Sequence, residues 1–413
     1  MKILISSIAC CPGMGSEAKV GWDAVLAIAE NHECHVITHS VAKESILAAQ
    51  CAGQAANVTF HFYGENYTWH PNRLVARMQS WLIYRKWQSQ LLDVALDLHR
   101  KHQFDVAHHL TYATWRVASP LWKLPIPFVW GPIGGTATMP VRFWGILSPT
   151  ALAFELLRVL STTVARHGQG FRDCVKNSAI VIAANEETEK FLKRFRRTAP
   201  INRLPVAFFT PDQIDAFRRT EISSVTEIGP MRLFAGGNIE GRKGVALALK
   251  ALARLKDSGI DCLYTISGGG PEINKLISLA NELGVADMVE FHAGFTGQAY
   301  RDKLKATDIY FMPSFRETTP ITLLEAILSG CYPVVADASA AGEIVRKVGG
   351  HAVSIESPRI TTEELSNAIL WGHQNRKQMR RQAELASVKV RSMFSQTSYV
   401  EGIESAYKMA AKT

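Results

Sequence analysis

A chain of 413 residues exceeds one ordinary hydrophobic core, so two α/β domains of roughly 200 residues each are expected. Its 47% apolar and 20% charged residues exclude a disordered or fibrous chain. The net charge of +9 belongs almost wholly to the first half, which has 22 Lys/Arg against 14 Asp/Glu up to Pro205, whereas the rest has 24 against 23. These basic residues are not interleaved with stacking aromatics in a nucleic-acid-binding motif, so an anionic membrane surface or a phosphate-bearing substrate is expected instead.

The opening MKILISSIACCPG has one lysine and an apolar run too short for a signal peptide, and is expected to form a first strand, Lys2–Ile8. Further short apolar runs predict strands at His35–Thr38, Val58–Phe62, Val106–His109, Phe128–Trp130 and Ile180–Ala183. Helical spacing fills Val20–Glu30, Arg73–Lys101 and much of Val141–Val175. The last two mix aromatic, aliphatic and basic residues: Trp81, Arg85, Lys86 and Trp87 in one, Phe143, Trp144, Leu157, Arg158 and Arg166 in the other. They read either as core helices with a solvated basic face or as helices lying on a membrane interface. No run reaches about 18 uninterrupted apolar residues, and Ile146 to Ala165 is broken by Pro149, Glu155 and Arg158, so no spanning helix is expected.

Pro205, Pro211 and a polar stretch within Thr198–Gly229 mark a boundary. After it, strand-like MRLFAGG, CLYTISGGG, MVEFHAG, DIYFMPS and YPVVAD alternate with helical Val245–Lys256, Glu272–Leu283, Tyr300–Lys305, Thr322–Leu328 and Gly342–Val348. The expected class is α/β, two doubly wound parallel sheets, with domains 1–205 and 206–391. The helical tail 392–413 has no strand of its own to cover and is expected to return to the first domain. Seven scattered cysteines with no C-x-x-C spacing read as reduced thiols and point to the cytoplasm.

The strand ending at Met312 is followed by Pro313-Ser314-Phe315-Arg316-Glu317-Thr318-Thr319-Pro320 and an apolar helix. Ligands of open α/β sheets sit beyond the carboxyl ends of the strands, which places Glu317 where a ligand is held. Thr319 is expected to cap the helix, with Pro320 at its first position and free N–H groups favouring an anion such as a diphosphate. Glu325, eight residues beyond Glu317, falls on the second turn. Two carboxylates do not hold a diphosphate; they accept hydrogen bonds from sugar and ribose hydroxyls.

The stretch PSFRETTPITLLEAILSGCYPVVA resembles the Glu-x7-Glu signature of the retaining glycosyltransferases of family 4, or group 1, over about Met231–Ile355. The resemblance implies the GT-B fold, two facing Rossmann-like domains with a cleft between them. It also implies that Glu317 contacts the donor sugar and Glu325 the nucleotide ribose, with Thr318 and Thr319 beside them. Gly268-Gly269-Gly270-Pro271 through Leu276 matches the family's G-x-G-P-x-x-x-x-L element, placing Gly270 at the donor, and His292-Ala293-Gly294-Phe295 places Phe295 near the base. In GGNIEGRKG, Lys243 and Gly244 match the family's G-R-x-x-x-x-K-G, but Asn238 stands at the arginine position. Arg242 is the candidate for the missing charge on the diphosphate, the alternative being a surface arginine.

The opening MKILISSIACCPGMGSEAKVGW resembles bacterial family members of surface-polysaccharide assembly. Gly15, then Gly13, is the candidate for close backbone approach to the donor phosphates, while Ser16 and Glu17 could cap the following helix. The family histidine of this domain is replaced by Trp130-Gly131 in PFVWGPIGG. His109, with His108, is the candidate to replace it as a catalytic residue, the alternative being a structural core histidine. Gly134 and Gly135 line the ligand or make a turn.

The resemblance implies transfer of a hexose, with retention, from a nucleoside diphosphate sugar to a lipid-linked oligosaccharide or polysaccharide, on the cytoplasmic side and peripheral to the plasma membrane. In that family the leaving diphosphate is thought to take the acceptor's proton, and no obvious protein nucleophile or base stands out here. No cofactor is expected beyond the nucleotide sugar as co-substrate. No Asp-x-Asp sits at a strand end, so no metal site is expected either. The alternatives are a sugar-nucleotide epimerase on the same architecture and a non-catalytic nucleotide-sugar-binding subunit.

Overall fold

The computed structural model describes residues 1–15, 17–65, 67, 68, 70, 73–196, 199–219 and 229–412. They divide into two compact units: 1–136, 160–207 and 396–413 in the first, 137–159 and 208–395 in the second. The segment 137–159, expected in the first domain, therefore packs with the second unit. Met139 and Phe143 are the reason, since both are buried in that unit's core.

The first unit holds seven parallel strands: β1 (Lys2–Ser7), β2 (Glu33–His39), β3 (Val58–Tyr63), β4 (Val106–Thr111), β5 (Phe128–Ile133), β6 (Ile180–Ala183) and β7 (Ile201–Arg203). Their order is β3-β2-β1-β4-β5-β6-β7, the doubly wound pattern. Strands β4, β5 and β6 are buried along their whole length, as parallel strands covered on both faces must be. Strand β7 lies in the stretch expected as a boundary. It is three residues long and only partly buried, so no apolar run announces it.

The tail forms helix Gln396–Ala410, which buries Tyr399, Ile403, Ala406, Tyr407 and Ala410 against the first unit. That spacing is one face of a helix. Gly402 lies on the same helix, where a Cβ would come within 2.5 Å of Leu204.

The second unit holds β8 (Met231–Gly236), β9 (Cys262–Ser267), β10 (Val289–His292), β11 (Ile309–Phe311), β12 (Tyr332–Ala336) and β13 (His351–Val353) in the order β10-β9-β8-β11-β12-β13. All pairings are parallel. Order reverses between β8 and β11, the switch point at which α/β sheets take ligands. Helix Val245–Asp257 buries eight apolar residues against this sheet. Helices Pro358–Gln374 and Arg376–Met393, which the alternation did not reveal, complete the cover.

The two segments that read as core or interfacial helices differ from one continuous run. Val141–Ile146 is a 3-10 turn, followed by helices Pro149–His167 and Gln169–Asn177, broken at Gly168. In helix Arg73–His102, Trp87 is buried while Trp81 is 49% exposed beneath the Arg85 guanidinium. Among the described residues no helix is long and apolar enough to cross a membrane.

Candidate functional site

The site grows from the carboxyl ends of β8 and β11. After β8 the chain runs through Gly237 to a 3-10 turn, Gly241–Lys243, ending at Gly244 with φ +69°. A Cβ at Gly244 would lie 2.2 Å from the Pro313 carbonyl oxygen, so only glycine lets this loop touch the one after β11. The two loops are laced together. Phe315 N–H donates to the Arg242 carbonyl at 2.9 Å, and the Arg242 guanidinium donates to the Arg316 carbonyl at 2.6 Å.

This lacing brings three side chains onto one carboxylate. Glu317 Oε1 accepts from Lys243 Nζ at 2.6 Å and from Ser314 Oγ at 2.8 Å, and Arg242 Nη1 stands at 3.4 Å. Arg242 also pairs with Glu240 at 2.7 Å. Burial pushes the Glu317 carboxyl up, but Lys243 and Arg242 outweigh it and hold the group below its ordinary value, ionised. Bent back by the turn Gly241–Lys243, Arg242 is partly buried and reaches the same carboxylate as its neighbour, which is not the setting of a free surface arginine. Asn238, at the place where the family carries arginine, donates to Glu240 at 2.9 Å instead.

The Glu317 backbone is fixed from a third loop. Its N–H donates to Ser339 Oγ at 2.9 Å, and its carbonyl accepts from Ala340 N–H at 3.3 Å. Ser339 has φ +50°, a conformation uncommon outside glycine and concentrated at functional sites.

Neighbouring Arg316 forms a two-oxygen ion pair with buried Glu155 at 2.7 and 2.8 Å, from helix Pro149–His167. Ser314, Arg316, Glu155 and Ser339 were not singled out by sequence. Ser314 and Arg316 stood inside the motif, whereas Glu155 and Ser339 carry no local signal.

Glu325 lies on helix Ile321–Leu328 and accepts from the Tyr300 hydroxyl at 2.8 Å. Burial and the Glu325 charge push the Tyr300 phenol well up, so it remains a hydrogen-bond donor. One expectation fails here. The helix begins at Ile321 rather than Pro320, its N-cap is Pro320 rather than Thr319, and Ile321 N–H is spent on the Thr319 carbonyl at 3.0 Å. Pro320 at φ −79°, ψ 80° is outside helical geometry, which moves the start on by one residue. Thr318 and Thr319 lie half-buried in the loop after Glu317.

A Cβ at Gly270 would meet the Ile239 carbonyl oxygen at 2.2 Å, so this glycine keeps the loops after β8 and β9 together. Phe295 stacks on His292, ring centroids 3.7 Å apart and nearly parallel, and its N–H donates to Ser267 Oγ at 3.2 Å.

The first unit departs further from expectation. At Gly15 a Cβ has open space and φ is ordinary, whereas Gly13 has φ +73°; the conformation that demands glycine is at Gly13. Ser16 lies outside the described residues, and Glu17 accepts from Ala113 N–H at 2.8 Å.

His109 is fully buried, with Nδ1 on Ser6 Oγ at 3.0 Å and Nε2 facing the Tyr84 hydroxyl at 3.1 Å and the Gln88 amide at 3.3 Å. Both nitrogens are used within the core, and burial drops its pKa to about 3. It is a core histidine, not a group that meets a ligand.

His108 is likewise closed in, between the Gly131 carbonyl at 2.6 Å and the Tyr407 hydroxyl at 2.7 Å. Since the carbonyl only accepts, Nε2 carries the proton and Nδ1 takes the Tyr407 hydrogen bond. Trp130 is buried in the same core. Gly135 has φ +77°, which fits the turn reading.

Residues 220–409 match the family Glycosyl transferases group 1. The lipopolysaccharide glucosyltransferase WaaG of Escherichia coli (strain K12) is 34% identical over 102 residues, 25% of this chain and 26% of that protein. This chain matches only 26–31% of the length of that protein and three further curated relatives. Two solved structures match over nearly the whole chain. Sucrose-phosphate synthase from Thermosynechococcus elongatus has TM-score 0.68 at 14% identity, over 98% of each chain. Anabaena HepE, solved with UDP-glucose, has TM-score 0.60 at 16% identity over 99% of this chain and all of that one. At such identities the likeness shows the fold, which is the expected α/β GT-B class. The Glu317 constellation thus lies within residues 220–409, the stretch that matches the group 1 glycosyl transferase family.

Proposed function

We propose that the chain is a retaining glycosyltransferase, moving a hexose from a nucleoside diphosphate sugar to a hydroxyl of a lipid-linked oligosaccharide or polysaccharide. The observation that carries this reading is the convergence of Lys243, Arg242 and Ser314 on Glu317 at the β8–β11 switch point, inside a group 1 domain. Lys243 and Arg242 neutralise the departing diphosphate. Glu317 and Glu325 accept from sugar and ribose hydroxyls. In the free protein two cations face two carboxylates, Glu240 and Glu317, so a diphosphate competes with these carboxylates. A whole nucleotide sugar gives Glu317 hydroxyls in exchange, and it binds tighter than the nucleoside diphosphate alone.

The bond from the anomeric carbon to the diphosphate breaks while the acceptor oxygen bonds on the same face. The leaving oxygen takes the acceptor's proton, so no protein base is required. No metal or cofactor is needed for this step, a reading based on the lack of Asp-x-Asp at strand ends. Exposed Leu156, Leu157, Leu160 and Val164 on helix Pro149–His167 support a lipid-linked acceptor and peripheral attachment at the cytoplasmic membrane face.

A thermal-shift panel of nucleotide sugars identifies the donor, which raises Tm by mass action. Transfer with that donor is then followed with lipid-linked and polysaccharide acceptors, and the product anomer read by NMR. An inverted product overturns retention. Epimerisation of the donor without acceptor, or binding with no turnover on any acceptor, overturns the transferase reading. Loss of transfer in a chelator, with the fold intact, overturns metal independence.

A further inference from the structure

Three histidines distant in sequence meet at one edge of the first sheet. His35 is on β2, His61 on edge strand β3, and His102 ends helix Arg73–His102. Strand pairing sets His35 opposite Thr59 and Ile37 opposite His61, so the two histidines are diagonal neighbours on one face of the sheet. One ring nitrogen from each of the three lies within 4.8 Å of the others. His35 Nδ1 and His61 Nε2 are 3.0 Å apart, and the His35 and His102 ring centroids are 4.4 Å apart.

We propose that His35, His61 and His102 form a binding site for a divalent transition-metal ion of the zinc class, with water as the fourth ligand. Zinc bonds imidazole at about 2.0–2.1 Å, so tetrahedral ligand nitrogens stand about 3.3 Å apart. The 3.0 Å between His35 Nδ1 and His61 Nε2 is near that value, and the His102 nitrogen lies within 4.8 Å of both.

An all-imidazole set selects zinc, copper or nickel over magnesium and calcium, which take oxygen ligands. The surroundings match such a site. His35 Nε2 lies 3.4 Å from Glu33 Oε1, a carboxylate that orients a ligating imidazole through its other nitrogen. Lys2 holds Glu33 in turn at 2.9 Å. Phe104 packs against both His35 and His102 as an apolar wall. His35 is buried while His61 and His102 are half-buried, which leaves an open side for the ion and its water. The bound ion fastens edge strand β3 to the end of the long helix. The site lies wholly in the first unit and is independent of the donor reading.

The test uses the full-length chain without a histidine tag, stripped of metal and titrated with Zn2+ by calorimetry and with Co2+ by visible absorption. One ion per chain, a tetrahedral Co2+ spectrum and a rise in Tm with Zn2+ but not Mg2+ are expected. In His102→Ala, Zn2+ affinity falls at least about tenfold while circular dichroism and metal-free Tm stay near those of the parent. His102→Gln, of closer volume, replaces it if the alanine variant does not fold. A parent that takes up no Zn2+ overturns the site. So does equal Zn2+ affinity in the parent and in the His102 and His61→Ala variants, since the ion then sits elsewhere.

Discussion

The loop after β11 and the end of β4 are both polar clusters at the carboxyl ends of central parallel strands, but they are built in opposite ways. Around Glu317 the groups are charged and largely covered, Lys243 most of all: Lys243, Arg242 and Glu240 each pair with a partner that a ligand can replace. Around His108 and His109 the groups are neutral and sealed, with ring nitrogens bound to Ser6, Tyr84, Gly131 and Tyr407. Charges covered to this degree are held in pairs, because burying one alone costs far more than burying a neutral hydrogen-bonded group. The first cluster is thus equipped to exchange partners with an anionic ligand, and the second to hold a core together.

The largest expected effect breaks the first cluster. Glu317→Ala lowers transfer by about 100-fold or more, and leaves Lys243 and Arg242 without their shared partner. The rate is compared with Glu317→Gln, which keeps the shape without the charge. Equal activity in parent and both variants would remove Glu317 from the site.

Acid probes the second cluster. Burial lowers His108 from 6.5 to about 4 and His109 to about 3, so the unfolded chain binds protons that the folded chain refuses. Stability present above about pH 6.5 is therefore lost as pH falls toward 4, by on the order of 3 kcal/mol per histidine at most. Urea unfolding against pH checks this, and a flat profile between those values contradicts it.

Backbone contact comes next. Gly244→Ala forces a Cβ into the Pro313 carbonyl oxygen, and costs about 2 kcal/mol of stability with loss of donor binding. Gly15→Ala, which meets nothing, stays within about 0.5 kcal/mol of the parent by thermal melting. The smallest functional effect is expected for Tyr300→Phe. It removes one hydrogen bond to Glu325 and weakens nucleotide binding by about 1 kcal/mol in calorimetry.

The sequence alone determined the two sheets, because parallel strands buried on both faces read as apolar runs such as Ile3 to Ile5 or Tyr332–Ala336. It also determined the position of Glu317, because a ligand loop follows the carboxyl end of its strand directly. Tertiary structure decided what depends on segments far apart in the chain. Arg242 reaches Glu317 only because Gly244 lets two loops touch, and the N-cap position moves from Thr319 to Pro320 because Pro320 stands just outside the helix. His109 is enclosed by Tyr84 and Gln88 from a helix more than twenty residues earlier, which no local spacing could announce. His35, His61 and His102 likewise share no motif; strand register and the end of one helix bring them together. Local pattern reports burial and turn chemistry, whereas side chains meeting across loops and strands are set by packing, which has no period in the sequence.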